Sequence, residues 1–494
     1  MRPGLMFADA GRRAQCPPLD ADLAEDLRLD GLWAAMARGD DHLHALARAA
    51  TLDPLTDLAD IAHRQQILGD CLDNARTVRE LYGLAERAVA AEQKIFRGPA
   101  TGMLNRSLRV LELFCERLRE LRDLASRDAR AFRSAGFVRL FETIRAQVDE
   151  GYLRTVEGLL EELRFEHGII VTARLGPGNK GVGLRMHEPP AKGRDPLTRR
   201  FRKSDLVYTV PPEHEDSWRA IAGLRNLALE EIAEAVAESA DHVRDFFRAL
   251  RDELGFYVGC LNLAEDLART GLPTCLPEPH PPAERALSAR GLYEPGLALS
   301  LGGTVVANDV DADDSGLIMV TGTNRGGKTT FLRSLGVAQL MMQCGMFVCA
   351  RSCSASLADG VFTHFKRGED RSMSSGKLDE ELARMSGIVD RLRPGALVLC
   401  NESFASTNER EGADIAAEVL LGLTGLGIRV VFVTHLYELA HRMHADPPVP
   451  CLHLTTTPGA GGEPAFRLVP GTPSPTANAM DLYARVFGGA PPGR

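Results

Sequence analysis

The eight residues GTNRGGKT at 322–329 fit the spacing G-x-x-x-x-G-K-[ST], which wraps a backbone around phosphate oxygens. Gly322, Gly326 and Gly327 let the main chain approach closely enough to aim its N–H groups inward, with Asn324 inside the turn. Lys328 can reach the β- and γ-phosphates, and the Thr329 hydroxyl suits Mg²⁺. Thr330 lies in the first turn of the following helix, whose N-terminus adds partial positive charge. The loop follows the apolar run LIMVT and opens TTFLRSLGVAQLM, so it sits between a strand and a helix as the motif requires. Binding of a nucleotide triphosphate is the expected chemistry.

A second stretch, LVLCNESFASTNEREG at 397–412, is an apolar run that stops at Asn401-Glu402. In phosphate-loop hydrolases an acidic residue at such a strand end holds Mg²⁺, often through water, and a following glutamate orients or deprotonates the attacking water. Glu402 fits the second role. Asn401 stands in the metal-holding place, where an amide oxygen can accept a hydrogen bond from a metal-bound water but brings no charge. The expectation is intact ATP binding, weakened Mg²⁺ affinity and slow turnover.

The elements that must position these residues read as two kinds. Residues 20–165 are a succession of helices. Leu104, Leu108, Leu111, Phe114, Leu118, Leu121 and Leu124 recur at three- and four-residue steps and predict one apolar stripe. GIIVTARLGPGNKGVGLRM and LVYTV (206–210) predict a small β insertion near 168–210. From about 215 to 270 Ile232, Val236, Val243, Phe246, Leu250, Leu254 and Tyr257 keep helical phase, either as one strut or as two helices broken near Gly255. At 1.5 Å per residue, forty such residues would reach about 60 Å. GLPTCLPEPHPPAERA (271–286) reads as a linker. Beyond it GLIMVTG (316–322), GALVLCN (395–401) and GIRVVFVTH (427–435) predict buried parallel strands, and the Pro-, Gly- and Thr-rich stretch after 446 predicts a helix at 475–487.

From about 290 to 445 the sequence resembles the ATPase domain of the MutS family of DNA mismatch-repair proteins. TGTNRGGKTTFLR is similar to that family's TGPNMGGKST, and QCGMFVCA (343–350) to its G-x-[FY]-V-P-A. NESFASTNEREG falls on D-E-x-x-x-G-T-S-T-x-D-G, so that Asn401, Glu402, Thr407, Glu411 and Gly412 take those places. FVTHLYEL (432–439) is close to FATHYHEL, and VVANDV (305–310) is similar to the stretch before the phosphate loop. The resemblance implies ATP and Mg²⁺ as ligands, Lys328, Glu402 and His435 as the catalytic set, and His435 as the sensor of the γ-phosphate. It also implies a homodimer joined through the ATPase domains and a duplex or branched DNA partner. The N-terminal half resembles the family's helical core and lever, on HRQQILGD (63–70) and the long helices, and the β insertion would then be the DNA-touching clamp.

Two departures shape the expectation. No G-x-F-Y-E motif of the family's mismatch reader precedes the helices, which favours branched or distorted duplexes over mismatch reading. The family's G-x-S-T-F signature is missing, and MSSGKLDEEL (373–382) stands there with Ser374 or Ser375 as candidate hydroxyls. One family relative without a mismatch reader carries a nuclease-like tail, for which this chain leaves no room before Arg494, so a reduced MutS-like protein is expected.

The totals agree with a multidomain chain. At 494 residues, two or three domains are expected. They are a helical segment at 1–60, a helical core or lever at 61–278 with the clamp-like insertion, and a MutS-type ATPase domain at 279–494. The fold class is an N-terminal, mostly α half with a small β insertion, followed by a C-terminal α/β P-loop NTPase of the ABC/MutS type. A net charge of -9 gives no bulk attraction for nucleic acid, so binding would rest on a local patch. The densest basic run, KGRDPLTRRFRKSD (192–205), offers Lys192, Arg194, Arg199, Arg200, Arg202 and Lys203 as phosphate contacts; the alternative is a solvated charged loop. Ten cysteines without CxxC spacing read as reduced thiols. Residues 336–350 are too short to span a bilayer and contain Gln339 and Gln343, so a cytoplasmic protein with no membrane partner is expected. Two other functions fit parts of the pattern. One is a nucleotide-switched binding module with vestigial hydrolysis; the other is an ABC-type ATPase of another machine, although no LSGGQ-like signature is present.

Overall fold

A computed structural model describes residues 2–7, 9, 21–97, 103–164, 170–177, 181–187, 230–367, 376–458 and 464–473. The basic run 192–205, the LVYTV strand, Ser374, Ser375 and the helix expected at 475–487 lie outside the described residues.

Four helices come first, α1 (Ala21–Leu27), α2 (Leu29–Ala37), α3 (Asp41–Leu52) and α4 (Leu58–Asp73). They are followed by α5 (Ala75–Arg97), α6 (Met103–Asp128), α7 (Ala135–Gln147) and α8 (Glu150–Leu163). Strands β1 (Ile170–Leu175) and β2 (Gly181–His187) form an antiparallel hairpin before the 41-residue α9 (Glu230–Thr270). Strands then dominate: β3 (Glu278–His280), β4 (Leu287–Leu292), the short α10 (Pro295–Ser300), β5 (Asn308–Asp311) and β6 (Leu317–Thr321). Next are α11 (Lys328–Gln343), β7 (Ser352–Ser356), β8 (Val361–Phe365) and α12 (Lys377–Val389). The order closes with β9 (Leu397–Asn401), α13 (Glu409–Gly425), β10 (Arg429–Val433), α14 (Tyr437–Ala445), β11 (Cys451–Pro458) and β12 (Pro464–Pro470).

The chain divides into two compact units. The first holds Met1–Pro3, Arg76–Phe132 and Phe137–Asp252, and the second holds Gly4–Ala75, Arg133–Gly136 and Glu253–Arg494. In the first unit all seven apolar positions expected on one stripe of α6 are buried. Phe114 of that stripe meets Phe247 of α9 with ring centroids 5.5 Å apart. The polar flank of α6 pairs with α8 through Arg119–Glu157 at 2.7 Å and Arg122–Glu150 at 2.5 Å. The Asp149 carboxylate caps α8 by accepting from the Tyr152 N–H. α9 runs through Gly255 without a break. A mid-helix glycine costs about 1 kcal/mol relative to alanine, and the buried Leu254, Phe256, Tyr257 and Val258 around it outweigh that.

The second unit contains a six-stranded sheet in the order β12-β11-β6-β10-β9-β8. β11, β6, β10, β9 and β8 are parallel, and β12 runs antiparallel to β11. The three runs expected as buried parallel strands are its centre. Leu317, Met319, Val398, Val430 and Phe432 share a core with Ala413, Ala417, Leu420 and Leu439. α11 is buried along nearly its whole length. Its Gln343 amide donates to the Leu55 and Ala358 carbonyls, and its Gln339 amide to the Ser356 carbonyl, so both buried polar groups are satisfied.

A four-stranded sheet, β3-β7-β4-β5, stands beside it in the same unit. Its edge strand β3 comes from the Pro-rich stretch read as a linker: Glu278–His280 pairs with Ser354–Ser356. Pro279 is tolerated because an edge strand needs hydrogen bonds on one side only. The Thr-rich stretch after 446 likewise forms β11 and β12, where β-branched residues suit a sheet. The nine described cysteines are free, and burial pushes the Cys349 and Cys353 thiols up to about 12. Among the described residues no helix is long and apolar enough to cross a membrane.

Candidate functional site

All five residues of β6 are buried, and the chain leaves the strand at Gly322 into a turn that ends where α11 begins. Gly322 has φ of 123° and Gly327 of 87°, both on the side that favours glycine. A Cβ at Gly322 would lie 2.1 Å from Thr456 Oγ1 and 2.8 Å from the Thr456 amide nitrogen. The Thr323 N–H donates to Thr456 Oγ1 at 3.0 Å, so β11 buttresses the turn from one side. The Gly326 N–H closes on the Thr323 carbonyl at 3.1 Å. Asn324 and Arg325 are exposed at the tip, and Thr330 is half-buried in the first turn of α11.

Lys328 is 5% exposed, and its Nζ donates to the Gly322 and Thr323 carbonyls at 2.8 and 2.9 Å. Burial pulls its pKa below the usual lysine value, and the charge of Glu402 opposes that shift. A buried ammonium held by carbonyl dipoles is short of negative charge, which an anion in the turn would supply. One residue on, the Thr329 hydroxyl donates to Asn401 Oδ1 at 2.9 Å, joining the start of α11 to the end of β9.

The register of the sheet brings the remaining groups to the same edge. Val433 pairs with Asn401 on one side and with Val320 on the other, so β6, β9 and β10 end level. Glu402 follows with φ of 54°, its N–H bonded to the Val433 carbonyl at 2.8 Å. Its carboxylate Oε1 lies 3.9 Å from His435 Nδ1, longer than a hydrogen bond. The two side chains are 31% and 40% exposed. Thr407, Glu411 and Gly412 lie at the junction into α13. The Thr407 hydroxyl meets the Glu411 carboxylate, the Asn408 side chain caps the helix, and a Cβ at Gly412 would meet the Phe404 carbonyl. These contacts lie where the turn after Glu402 enters α13.

Lys328, Thr329, Asn401, Glu402 and His435 thus come together, while the six basic candidates of 192–205 lie outside the described residues. Three residues of this edge escaped the sequence reading as site residues. Thr456 braces the turn. The Asn308 side chain takes the Leu468 N–H at 2.7 Å and donates to the Phe466 carbonyl at 3.2 Å. Phe466, with φ of 53° and its ring exposed, backs onto Gly327, whose absent Cβ would sit 3.5 Å from Phe466 Cα. Asn308 belongs to VVANDV, a stretch already singled out; Thr456 and Phe466 carry no local signal.

For a divalent cation the donor set at this edge is the Thr329 hydroxyl and the Asn401 amide oxygen, two hard neutral oxygens already within hydrogen-bonding distance, with Glu402 following in sequence. That composition fits a hard, partly hydrated cation.

Comparison with known proteins gives matches to both parts of the chain. Residues 56–270 match the MutS2 N-terminal domain, and residues 318–465 match MutS domain V. A DNA mismatch repair protein MutS from Synechocystis sp. is 29% identical over 285 residues. The alignment covers 53% of this chain and 31% of that relative, so the chain corresponds to about a third of the relative's length.

Proposed function

The chain belongs to the MutS family, and from that premise we propose that it is a DNA-associated ATPase whose second unit carries a P-loop NTPase site of the ABC/MutS type. The observation that carries the reading is the Thr329–Asn401 hydrogen bond beside Lys328, which joins the glycine turn to the strand end bearing Glu402. The turn N–H groups and Lys328 would bind the β- and γ-phosphates of ATP. Thr329 and Asn401 would hold Mg²⁺, which when bound neutralises charge on those phosphates. Glu402 would orient and deprotonate the attacking water, and His435, at the end of the neighbouring strand, would sense the γ-phosphate.

Binding would favour a closed homodimer joined through the ATPase domains, residues 279–494, and through it a grip on mismatched, branched or distorted duplex DNA. The γ-phosphate can shift that equilibrium only as far as its affinity differs between closed and open states. The basic residues of 192–205 are the proposed backbone contacts. The test is nucleotide binding, and turnover measured without DNA and with plain, mismatched and branched duplexes. Saturable ATP binding lost in Lys328→Ala supports the reading; a wild-type chain that binds no ATP ends it.

One observation favours a second reading, in which ATP switches conformation and hydrolysis is vestigial. Asn401 offers Thr329 a neutral acceptor, so this edge lacks the carboxylate expected at the metal-holding position.

A further inference from the structure

Glu402 and Phe404 both have left-handed backbones, with φ of 54° and 61°. Non-glycine residues keep such conformations only where their surroundings over-determine them. The upstream end is fixed by the sheet, through Glu402 N–H to the Val433 carbonyl and Lys366 N–H to the Asn401 carbonyl. The downstream end is fixed by His364 of β8. Its fully buried ring lies 2.7 Å from Ser403 Oγ through Nδ1 and stacks on Phe404 with centroids 5.4 Å apart and planes at 26°.

The other ring nitrogen, Nε2, is 2.9 Å from the Glu381 carbonyl of α12. A carbonyl only accepts, so Nε2 carries the proton and donates. Burial keeps the imidazole neutral, with its pKa pushed down to about 4. Nδ1 is therefore bare, and the single proton of the Ser403 hydroxyl is shared between it and the His364 backbone carbonyl 2.8 Å away. The same helix reaches the loop a second time, because Ser406 Oγ donates to Glu381 Oε1 at 2.9 Å.

We propose that His364 is a positioning residue for Glu402: anchored to α12 through Nε2, it holds Ser403 and Phe404 so that the strained turn aims the Glu402 carboxylate. The proposal rests on the reading of Glu402 as the group that orients water. It makes α12 a direct determinant of turnover, since a shift of the Glu381 carbonyl moves the ring that holds the turn.

The test compares steady-state turnover and ATP binding of the full chain in wild type, Glu402→Gln, His364→Gln, His364→Asn and Ser403→Ala. Both His364 variants lose the ring stacking. Asparagine reaches the place of Nδ1 and keeps the side-chain contact to Ser403, whereas glutamine reaches the place of Nε2, keeps the Glu381 carbonyl and leaves the Ser403 hydroxyl only the backbone carbonyl of residue 364. Misplacing a catalytic group by an ångström costs up to about a hundredfold, so His364→Gln and Ser403→Ala should lower kcat by about tenfold or more. ATP affinity should stay within about twofold, because the phosphate-binding turn is untouched. His364→Asn should turn over several times faster than His364→Gln. A role confined to packing would cost the two His364 variants equally; that outcome, or wild-type kcat in Ser403→Ala, overturns the proposal while leaving Glu402 in place. Wild-type kcat in Glu402→Gln overturns the assignment of Glu402 itself, and the positioning role with it.

Discussion

Asn401→Asp isolates the most consequential feature of the site. Aspartate has nearly the same size and keeps an oxygen in reach of the Thr329 hydroxyl, now 2.9 Å from the amide oxygen, so the turn should keep its geometry. What changes is one negative charge. A doubly charged ion about 4 Å from it gains about 2 kcal/mol at the dielectric constant of water, and several times more in a dry interior. The lower figure is the relevant one, because the neighbouring Glu402 and His435 side chains are 31% and 40% exposed. At 1.4 kcal/mol per tenfold, the Mg²⁺ concentration for half-maximal turnover should fall by about thirtyfold. The assay is turnover against free Mg²⁺ at saturating ATP, with nucleotide binding in a chelator as control. There the added charge should weaken ATP binding slightly, by repulsion from the triphosphate. Superimposable Mg²⁺ curves for the two proteins would refute the reasoning, and robust wild-type turnover unchanged by the substitution would remove Asn401 as the cause of a slow site.

Four other outcomes follow from the same geometry. Lys328→Ala should raise the Kd for ATP by about a hundredfold in a binding titration, since a hydrogen bond to a charged group contributes up to about 3 kcal/mol. Gly322→Ala should cost more than about 2 kcal/mol in urea unfolding, and trimming Thr456 to alanine should not restore it, because the Thr456 amide nitrogen would still lie 2.8 Å from the new Cβ. Phe114→Ala should lower stability by about 3–5 kcal/mol, read as a urea midpoint, through the cavity left beside Phe247. His364 ionises at about 4 in the folded chain against a usual 6.5, so unfolding takes up a proton between those values. Its contribution is full above pH 6.5 and is lost as pH falls toward 4, and the acid side of a stability-versus-pH curve should be shallower in His364→Asn than in wild type.

What could be read from the chain was what chemistry confines to short spacings. The glycines and lysine of 322–329, and the Asn401-Glu402 pair at the end of an apolar run, announce themselves because few residue types can do their work. The α6 stripe was legible for a similar reason, since one period fixes one buried face. The Pro-rich stretch at 271–286 was read as a linker because proline breaks most strands, but only a central strand needs both rows of hydrogen bonds, and β3 is an edge. Periodicity could not decide the fate of Gly255, because a broken and an unbroken helix keep the same phase. The stretch VFTHF gave no signal for His364; its meaning lies in Ser403 and Glu381, 39 and 17 residues away.

The convergence of the site is topological, and local motifs do not contain it. Neighbouring strands of a sheet lie about 4.8 Å apart, so residues leaving adjacent parallel strands at one level fall within a side chain's reach of each other. Here the level is set by Val433 facing both Val320 and Asn401. That register places the glycine turn, the Asn401-Glu402 step and His435 on three adjacent strand ends, with β10 between the other two. The insertion of β11 beside β6 then brings Thr456 against the turn from 133 residues downstream of Thr323. A one-residue slip of β9 against β10 would reverse the faces of its alternating side chains. It would also carry Asn401 away from the Thr329 hydroxyl while leaving every sequence motif intact. The strand register, more than any one motif, is therefore what turns these separately recognisable residues into a single site.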